Sequence, residues 1–381
     1  MSVFSPPIVS VLKFRIVAMI AVAAAVLLAG GQAQPVVADD AAEASAADET
    51  ATESTAENAD NPWLTLPATD EGPGTGKHVV FITAEEEYRT EESFPMLARI
   101  LNRSGFDCTV LFAVHRENGT IEPNQIDNIP GLHQLADADL AVMALRWRLL
   151  PDDQMKHIID YTNSGKPILS IRTNTHPFNY EERTSSQTPL VADSTLEDVK
   201  DTPYAKWSWR GGETEGGWGR EVVGETWVRH YGKHKFEGTR AIPAYNQSSH
   251  PLLRGVEDVW GPSDVYGLEL DEETIEPILI GLVTDGMSPD DPIRFDREAT
   301  PVAWTKTYVG ETDNATMVVA TTMGAGQDFD NEGFRRFVVN AVFYLLDLEV
   351  PEKLNVDPVE PYHGRPFGFH EHLRGRLPKD A

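Results

Sequence analysis

Two polar segments of the sequence each follow an apolar run, the pattern by which a buried strand delivers side chains to an active site. The first is AEEEYRT, residues 84–90, and the second is SIRTNTH, residues 170–176. Arg172 and His176 have the chemistry to hold and protonate an oxygen-rich substrate, because an imidazole titrates near neutral pH. Glu85 and Glu87 have carboxylates suited to a polyhydroxylated or cationic ligand. The two segments therefore define a first candidate site.

Each segment also has a purely structural interpretation. An exposed acidic turn would account for residues 85–87. An ion pair between Arg172 and one of these glutamates would merely tie the two loops together. The sequence leaves both interpretations open.

A third segment, ETEGGWGREVVGETWVRHYGKHK at residues 213–235, is dense in glycine, tryptophan and charge. Trp218 and Trp227 have flat apolar faces that suit the C–H side of a sugar ring. His230 and His234 lie four residues apart, which on a helix would place two zinc ligands on one side. Gly232 between them disfavours a helix, so a basic loop over the pocket is the favoured interpretation. We therefore predict no metal and no other cofactor, with zinc as the open alternative.

The elements that must position these segments are apolar runs typical of a parallel sheet. Residues 78–83, 108–113, 140–145 and 167–171 are predicted strands that lack strict alternation, as expected when helices cover both faces. Predicted helices at residues 91–104 and from residue 151 lie between them. Because parallel strands end at one edge of the sheet, residues 85–88 and 172–176 should lie together there, where open α/β folds bind ligands.

After residue 178 the alternation of elements lapses until about residue 275, which predicts a long insertion of short elements covering a site. Further strands are predicted at residues 277–280, 301–304 and 317–321, followed by a closing helix from about residue 331. One α/β domain is therefore expected over residues 75–350. Residues 351–381 read as a Pro-rich, extended tail.

The N-terminal 74 residues are predicted to lie outside this domain. Lys13 and Arg15 precede an apolar run at residues 16–28 and small residues up to Ala33, the pattern of a secretory signal, residues 1–33. A retained membrane anchor is the alternative. Residues 34–74 begin with a stretch almost entirely of Ala, Asp, Glu, Ser and Thr and are predicted to be a disordered acidic linker. The mature protein is thus expected in the periplasm or outside the cell.

Composition limits the classes of partner. The formal net charge of −28 would repel phosphate backbones, so we expect no nucleic-acid partner and no anionic membrane surface after signal cleavage. A single cysteine, Cys108, excludes an intramolecular disulfide. The oligomeric state is not predictable from these features.

Several motifs, taken in order, resemble the ThuA-like (trehalose-utilisation) family. They are the acidic turn after the first strand, GKPILSIRTNTHPF, GWGREVVGETWVRHYGKHK, HPLLRG at residues 250–255, and PVAWTKTY followed by VVATTMGAGQDF. The resemblance implies a flavodoxin-like, class I glutamine amidotransferase-like fold with a doubly wound, mostly parallel sheet. In such amidotransferases the turn after the corresponding strand carries a cysteine nucleophile. Here that turn holds Arg172 and Thr173, so glutaminase activity is not expected.

The resemblance further implies an enzyme that acts on trehalose-like disaccharides or their 3-keto derivatives. His176 would be the proton donor or acceptor, Arg172 and Glu87 would orient hydroxyls, and Trp218 would stack on the sugar. The remaining candidate substrate-binding residues in these motifs are Glu85, Tyr88, Thr173, Arg220, His230, His234 and Gln327. Two alternatives stay open, a non-catalytic carbohydrate-binding domain at the cell surface and an interaction module that uses the acidic linker as a spacer.

Overall fold

The computed structural model of the chain describes residues 61–181, 191–199, 201–211, 216–269 and 273–381. Strands β1 to β5 span Leu64–Leu66, His78–Ala84, Asp107–Phe112, Leu140–Leu145 and Ile168–Ile171. Strands β6 to β12 span Trp227–His230, Thr239–Pro243, Val259–Gly261, Tyr266–Leu268, Ile275–Val283, Thr300–Val309 and Ala315–Thr321. Helices α1 to α4 span Thr90–Asn102, Asp152–Thr162, Leu196–Val199 and Glu332–Leu345.

Ten of these strands form one mixed sheet in the order β1-β3-β2-β4-β5-β12-β11-β10-β7-β8. Strands β3, β2, β4, β5 and β12 pair in parallel, and the outer strands on both sides pair antiparallel. The predicted α/β fold is therefore confirmed. The predicted insertion after β5 contains short elements, including the separate antiparallel strand pair β6–β9.

The parallel strands are continuously apolar because both faces of the sheet are covered. Along β2, Val79 and Phe81 pack in a core cluster with α1 and α4, whereas Val80 and Ile82 pack in a second cluster with α2. Helices α1 and α4 thus lie on one face and α2 on the other, which is the doubly wound arrangement. Asn331, just before α4, caps that helix, since its side-chain oxygen accepts a hydrogen bond from the backbone N–H of Phe334 at 2.8 Å.

Two predicted boundaries need correction. Residues 61–74 were assigned to the disordered linker, but β1 pairs with β3 there and Leu64 is buried. The C-terminal segment, residues 351–381, lacks long regular elements yet packs on the domain, with Val356, Phe367 and Ala381 buried. The predicted signal and residues 34–60 lie outside the described residues. Within the described ranges, no helix has the length and apolarity needed to cross a bilayer.

Four of the loops that leave the same edge of the parallel sheet contribute residues to the site. They follow β2, β4, β5 and β12 and contain residues 85–89, 146–148, 172–176 and 322–328. The strand pair β6–β9 and the C-terminal segment contribute further residues at this edge, as the contacts below show. This edge holds the candidate site.

Candidate functional site

Glu85 organises the loop after β2. One carboxylate oxygen accepts hydrogen bonds from the backbone N–H groups of Glu87 and Tyr88 at 2.8 and 2.6 Å. The other accepts from the backbone N–H and the hydroxyl of Thr90, both at 2.9 Å. These bonds satisfy amides around the start of α1 that have no partner within the helix. Glu85 is buried and fully engaged, so its predicted role in substrate binding is replaced by a structural one.

Glu86 and Glu87 face two arginines that follow β4. The buried Glu86 carboxylate pairs with both Arg146 and Arg148. Glu87 lies 3.7 Å from Arg146 and 2.9 Å from Nε2 of His234. Burial raises the pKa of Glu87, but the hydrogen bond from His234 and the charge of Arg146 outweigh it and lower the pKa overall. Glu87 is therefore an ionised group at neutral pH.

His230, on β6, and His234, just beyond it, share one carboxylate. Nδ1 of His230 lies 2.8 Å from one oxygen of Asp264, and Nδ1 of His234 lies 2.9 Å from the other. The two ring centroids are 4.3 Å apart. Burial raises the pKa of Asp264, but the bonds from both imidazoles and the charge of Arg172 bring it well below its usual range. The carboxylate is thus ionised and accepts a hydrogen bond from each ring.

The two imidazoles consequently differ in the hydrogen bonds that they make. His234 meets a carboxylate at each nitrogen, Glu87 at Nε2 and Asp264 at Nδ1, so both nitrogens act as donors. Burial lowers the pKa of His234, but these two carboxylates outweigh it and raise the pKa. His230 donates Nδ1–H to Asp264, and the described residues give its Nε2 no hydrogen-bond partner. With 33% of its side chain exposed, His230 leaves Nε2 accessible, and this nitrogen can accept a proton when the ring is neutral, as a general base requires.

Arg172 lies beneath this pair and does not reach solvent. Its guanidinium carbon sits 4.2 Å from the ring centroids of both Tyr88 and Tyr266, between the two rings. The same group pairs with Asp264 at 3.2 Å and donates to the backbone carbonyl of Thr322. The predicted contact between Arg172 and substrate hydroxyls is therefore wrong. Arg172 instead holds the Asp264 carboxylate in place.

His176 is also buried, with 2% of its surface exposed. Its ring centroid lies 5.2 Å from those of Trp147 and Trp227, and Nδ1 lies 3.0 Å from the hydroxyl of Thr175. Burial lowers its pKa well below the usual range, and the charge of Arg146 adds to this effect. His176 is a neutral packing residue, so the prediction that it exchanges the substrate proton is wrong. His230 is the candidate for that role instead.

Of the other predicted residues, Tyr88 forms part of the floor of the site. Tyr88 is buried against Arg172 and Phe367, 5.4 Å from the latter ring centroid. Thr173 is fully buried, and its hydroxyl has no hydrogen-bond partner. Neither side chain is placed to touch a ligand at the surface.

The remaining predicted residues lie apart from the histidine pair. Trp218 is fully buried, with its indole N–H donating to Thr162 of α2 at 3.1 Å, so it cannot stack on a sugar. Arg220 pairs with Glu269 at 2.8 Å. Gln327 lies in a short 3-10 helix, Gly326–Asp330, whose backbone is in contact with Gly364 of the C-terminal segment.

Several site residues were missed from the sequence. The guanidinium of Arg146 stacks 4.0 Å from the centroid of Trp147 and 5.3 Å from that of Phe369. Phe367 packs 5.5 Å from His234, and the adjacent Gly368 donates its N–H to the carbonyl of Glu87 at 2.7 Å. Arg146 and Trp147 could have been found, because they directly follow a predicted strand. Asp264 and the C-terminal phenylalanines have no local sequence signal.

His230, His234 and Asp264 are also spaced as a metal site would require, with ligand atoms all within 4.8 Å of one another. However, the Nδ1 atoms of both histidines lie at hydrogen-bond distance from the Asp264 oxygens, and Arg172 forms an ion pair with the same carboxylate. The donor set is therefore accounted for by hydrogen bonds and an ion pair. Zinc stays an alternative that metal titration can test.

Cys108 lies on β3, inside the core cluster that contains α1 and α4. Burial raises the pKa of its thiol, which keeps it protonated. It is not part of any of the four loops at the site edge. A thiolate nucleophile is thus not available from this residue.

Glu225, between Gly224 and the start of β6, is a buried carboxyl that the sequence did not single out. Neither of its oxygens has a hydrogen-bond partner, and burial raises its pKa well above the usual value. Because the folded state then holds the proton more tightly than the unfolded chain, this group stabilises the fold below its unfolded pKa. That contribution is lost as the pH rises through the folded pKa.

We expect the substitution Glu225→Gln to remove this pH dependence. The free energy of unfolding of the variant relative to the native chain should increase between pH 5 and pH 9, because only the native chain loses this contribution as the pH rises. Urea denaturation of both proteins at the two pH values measures the difference. An equal difference at both pH values would show that folding does not raise the pKa of Glu225.

Comparisons with known proteins give distant similarities of structure. The chain matches no protein-family model and no curated protein. A solved structure described as a ThuA-like protein, from Parabacteroides merdae, has 14% identity and a TM-score of 0.40, covering 77% of this chain and 97% of that one. The N-terminal domain of mmIFT52 has 12% identity and a TM-score of 0.35, covering 71% and 97%.

A third similar structure is the exo-beta-1,4-mannosidase Op5Man5 from Opitutaceae bacterium strain TAV5. It has 9% identity and a TM-score of 0.32, covering 71% of this chain and 36% of that one. At this level the similarities say nothing about chemistry, and the fold class rests on the strand order described above. The family resemblance inferred from the motifs stays a prediction.

Proposed function

We propose that the chain is an exported carbohydrate-acting enzyme that uses trehalose-like disaccharides or their 3-keto derivatives by acid/base chemistry without a cysteine nucleophile. The observation that carries the proposal is the half-exposed His230, whose Nδ1–H is fixed by the buried Asp264 and whose Nε2 is free. A carboxylate that orients an imidazole in this way sets its tautomer and supports the imidazolium that forms when it accepts a proton.

The surroundings of His230 suit a sugar. Trp227 lies 5.6 Å from the His230 ring, centroid to centroid, and offers an aromatic face. Arg146, Glu87 and the charged His234 add donors and charge nearby. Such a mixture of aromatic faces and fixed polar groups is the usual composition of a site for small polar ligands. The substrate is accordingly a small carbohydrate, with no nucleic-acid partner.

For a 3-keto glycoside the reaction would be an elimination. Nε2 of His230 takes the proton from C2, next to the keto group, and the C–H electron pair moves toward the carbonyl oxygen as an enolate. The enolate then expels the glycosidic oxygen from C1, and the imidazolium returns its proton to that oxygen. Proton and electron pair both balance, and only one general acid/base residue is needed.

A non-catalytic carbohydrate binder is the second candidate function. It is favoured by an open cleft lined by Trp209 and Trp227. A binder of this kind would hold sugars without changing them.

Ligand-dependent thermal unfolding of the full chain tests the carbohydrate class. The panel is trehalose, cellobiose, maltose, their 3-keto forms and, separately, zinc. A ligand that binds only the folded state at 100 times its Kd adds about 2.7 kcal/mol, so we expect a rise in Tm with at least one sugar. No rise with any sugar would contradict the proposal and favour an interaction module.

A further inference from the structure

A cleft of about 310 Å³ opens at the start of β6. Its lining residues come from three segments, the loop before Gly211, the start of β6 and the residue after β9. They are Trp209, Arg210, Thr226, Trp227, Val228 and Glu269. The volume is at the lower end of the range of roughly 300–1,000 Å³ that small-ligand sites occupy. The cleft is therefore large enough for a small ligand and too small for a polymer segment.

Trp227 belongs to both the cleft and the proposed catalytic site. Its ring centroid lies 5.6 Å from that of His230 and 5.8 Å from that of Trp209. The indole N–H of Trp209 donates to the backbone carbonyl of Trp227 at 3.1 Å, which fixes the two tryptophans relative to each other. Trp227 therefore connects the cleft with His230.

The chemistry of the cleft fits a polyhydroxylated ring. The partly exposed Trp227 supplies an aromatic face, and the exposed Arg210 stacks 4.3 Å from the centroid of the largely buried Trp209. Glu269, paired with Arg220, supplies a carboxylate at the cleft. The Thr226 hydroxyl and the Trp227 indole N–H are buried beside the cleft without hydrogen-bond partners. Such unsatisfied polar groups are uncommon in folded proteins and often mark functional positions.

We propose that this cleft is a second subsite, which holds the leaving sugar of a disaccharide while the first sugar lies against His230. This inference rests on the proposed carbohydrate function and narrows its substrate to glycosides whose leaving group is itself a sugar ring. Monosaccharides would occupy only the histidine side. The cleft would therefore determine specificity and take no part in the proton transfer.

Isothermal titration of the full chain with trehalose, cellobiose and D-glucose tests the subsite. We expect Trp209→Ala and Arg210→Ala each to weaken the binding of the better disaccharide, by about tenfold or more for Trp209→Ala, and to leave glucose binding unchanged. Arg210 is exposed, so its variant serves even if Trp209→Ala does not fold. The matched control is Trp260→Ala, a tryptophan on β8 at the far edge of the sheet, which should change neither affinity.

The outcomes separate the subsite from the catalytic proposal. Equal weakening for glucose and disaccharide, no effect of either variant, or no disaccharide binding to the native chain would overturn the subsite. Cleft-dependent disaccharide binding without any turnover would support the subsite and overturn catalysis. Turnover that is unaffected by both cleft variants would support catalysis and overturn the subsite.

Discussion

Replacing His230 with glutamine is expected to reduce kcat/KM on the preferred sugar by about 10²–10⁴-fold, the usual contribution of a general acid/base residue. Glutamine keeps a hydrogen-bonding group of similar length that can approach Asp264, but it cannot accept the substrate proton. Because the His230 side chain is 33% exposed, the fold should tolerate the change. Initial rates and Tm are measured for both proteins.

The control for this substitution is His157→Gln. His157 is a partly exposed histidine on α2, and α2 ends away from the site edge. This variant should keep the native rate and Tm. If His230→Gln kept at least a tenth of the native kcat/KM, His230 would not be the base. A sharp fall in Tm together with the loss of activity would instead assign His230 a structural role.

Replacing Arg172 with methionine is expected to lower the free energy of unfolding by about 3–5 kcal/mol, the usual cost of removing one partner of a buried ion pair. The change leaves the buried Asp264 carboxylate without its cation and removes the group held between Tyr88 and Tyr266. Because Asp264 also orients both histidines, activity should fall as well. Urea denaturation measures the loss of stability.

Arg229→Met is the matched control, because Arg229 is an exposed arginine on β6. Its change in stability should stay within about 0.5 kcal/mol, as for most surface substitutions. A similarly small change for Arg172→Met would contradict the role assigned to the buried guanidinium.

Much of the fold was predictable because the parallel strands are buried on both faces. Strand β4 was predicted with its observed bounds, and β2, β3, β5 and the three long helices were placed within a few residues of their observed ends. Strand β1 was not predicted, since three residues between Trp63 and Pro67 are too short a run to give a periodic pattern, and they are ordered by pairing with β3. The C-terminal segment was missed for a similar reason, because its packing depends on the surface it meets.

The position of the site was predictable, but the roles within it were not. The carboxyl-edge rule placed the loops after β2 and β5 together. The rule could not show that the strand pair β6–β9 and the aromatic rings around it cover Arg172 and His176. Asp264 lies 34 residues after His230 in the sequence, and their contact depends on the antiparallel pairing of β6 with β9. Such long-range pairing decides which histidine remains accessible.

The central claim is that His230, held by Asp264, transfers a proton on a small carbohydrate. The most direct test is time-resolved proton NMR of the native chain and of His230→Gln, each incubated with trehalose, cellobiose and their 3-keto forms. We expect new sugar signals in at least one sample of the native chain and almost none with the variant. No change in any native sample, or equal conversion by both proteins, would contradict it.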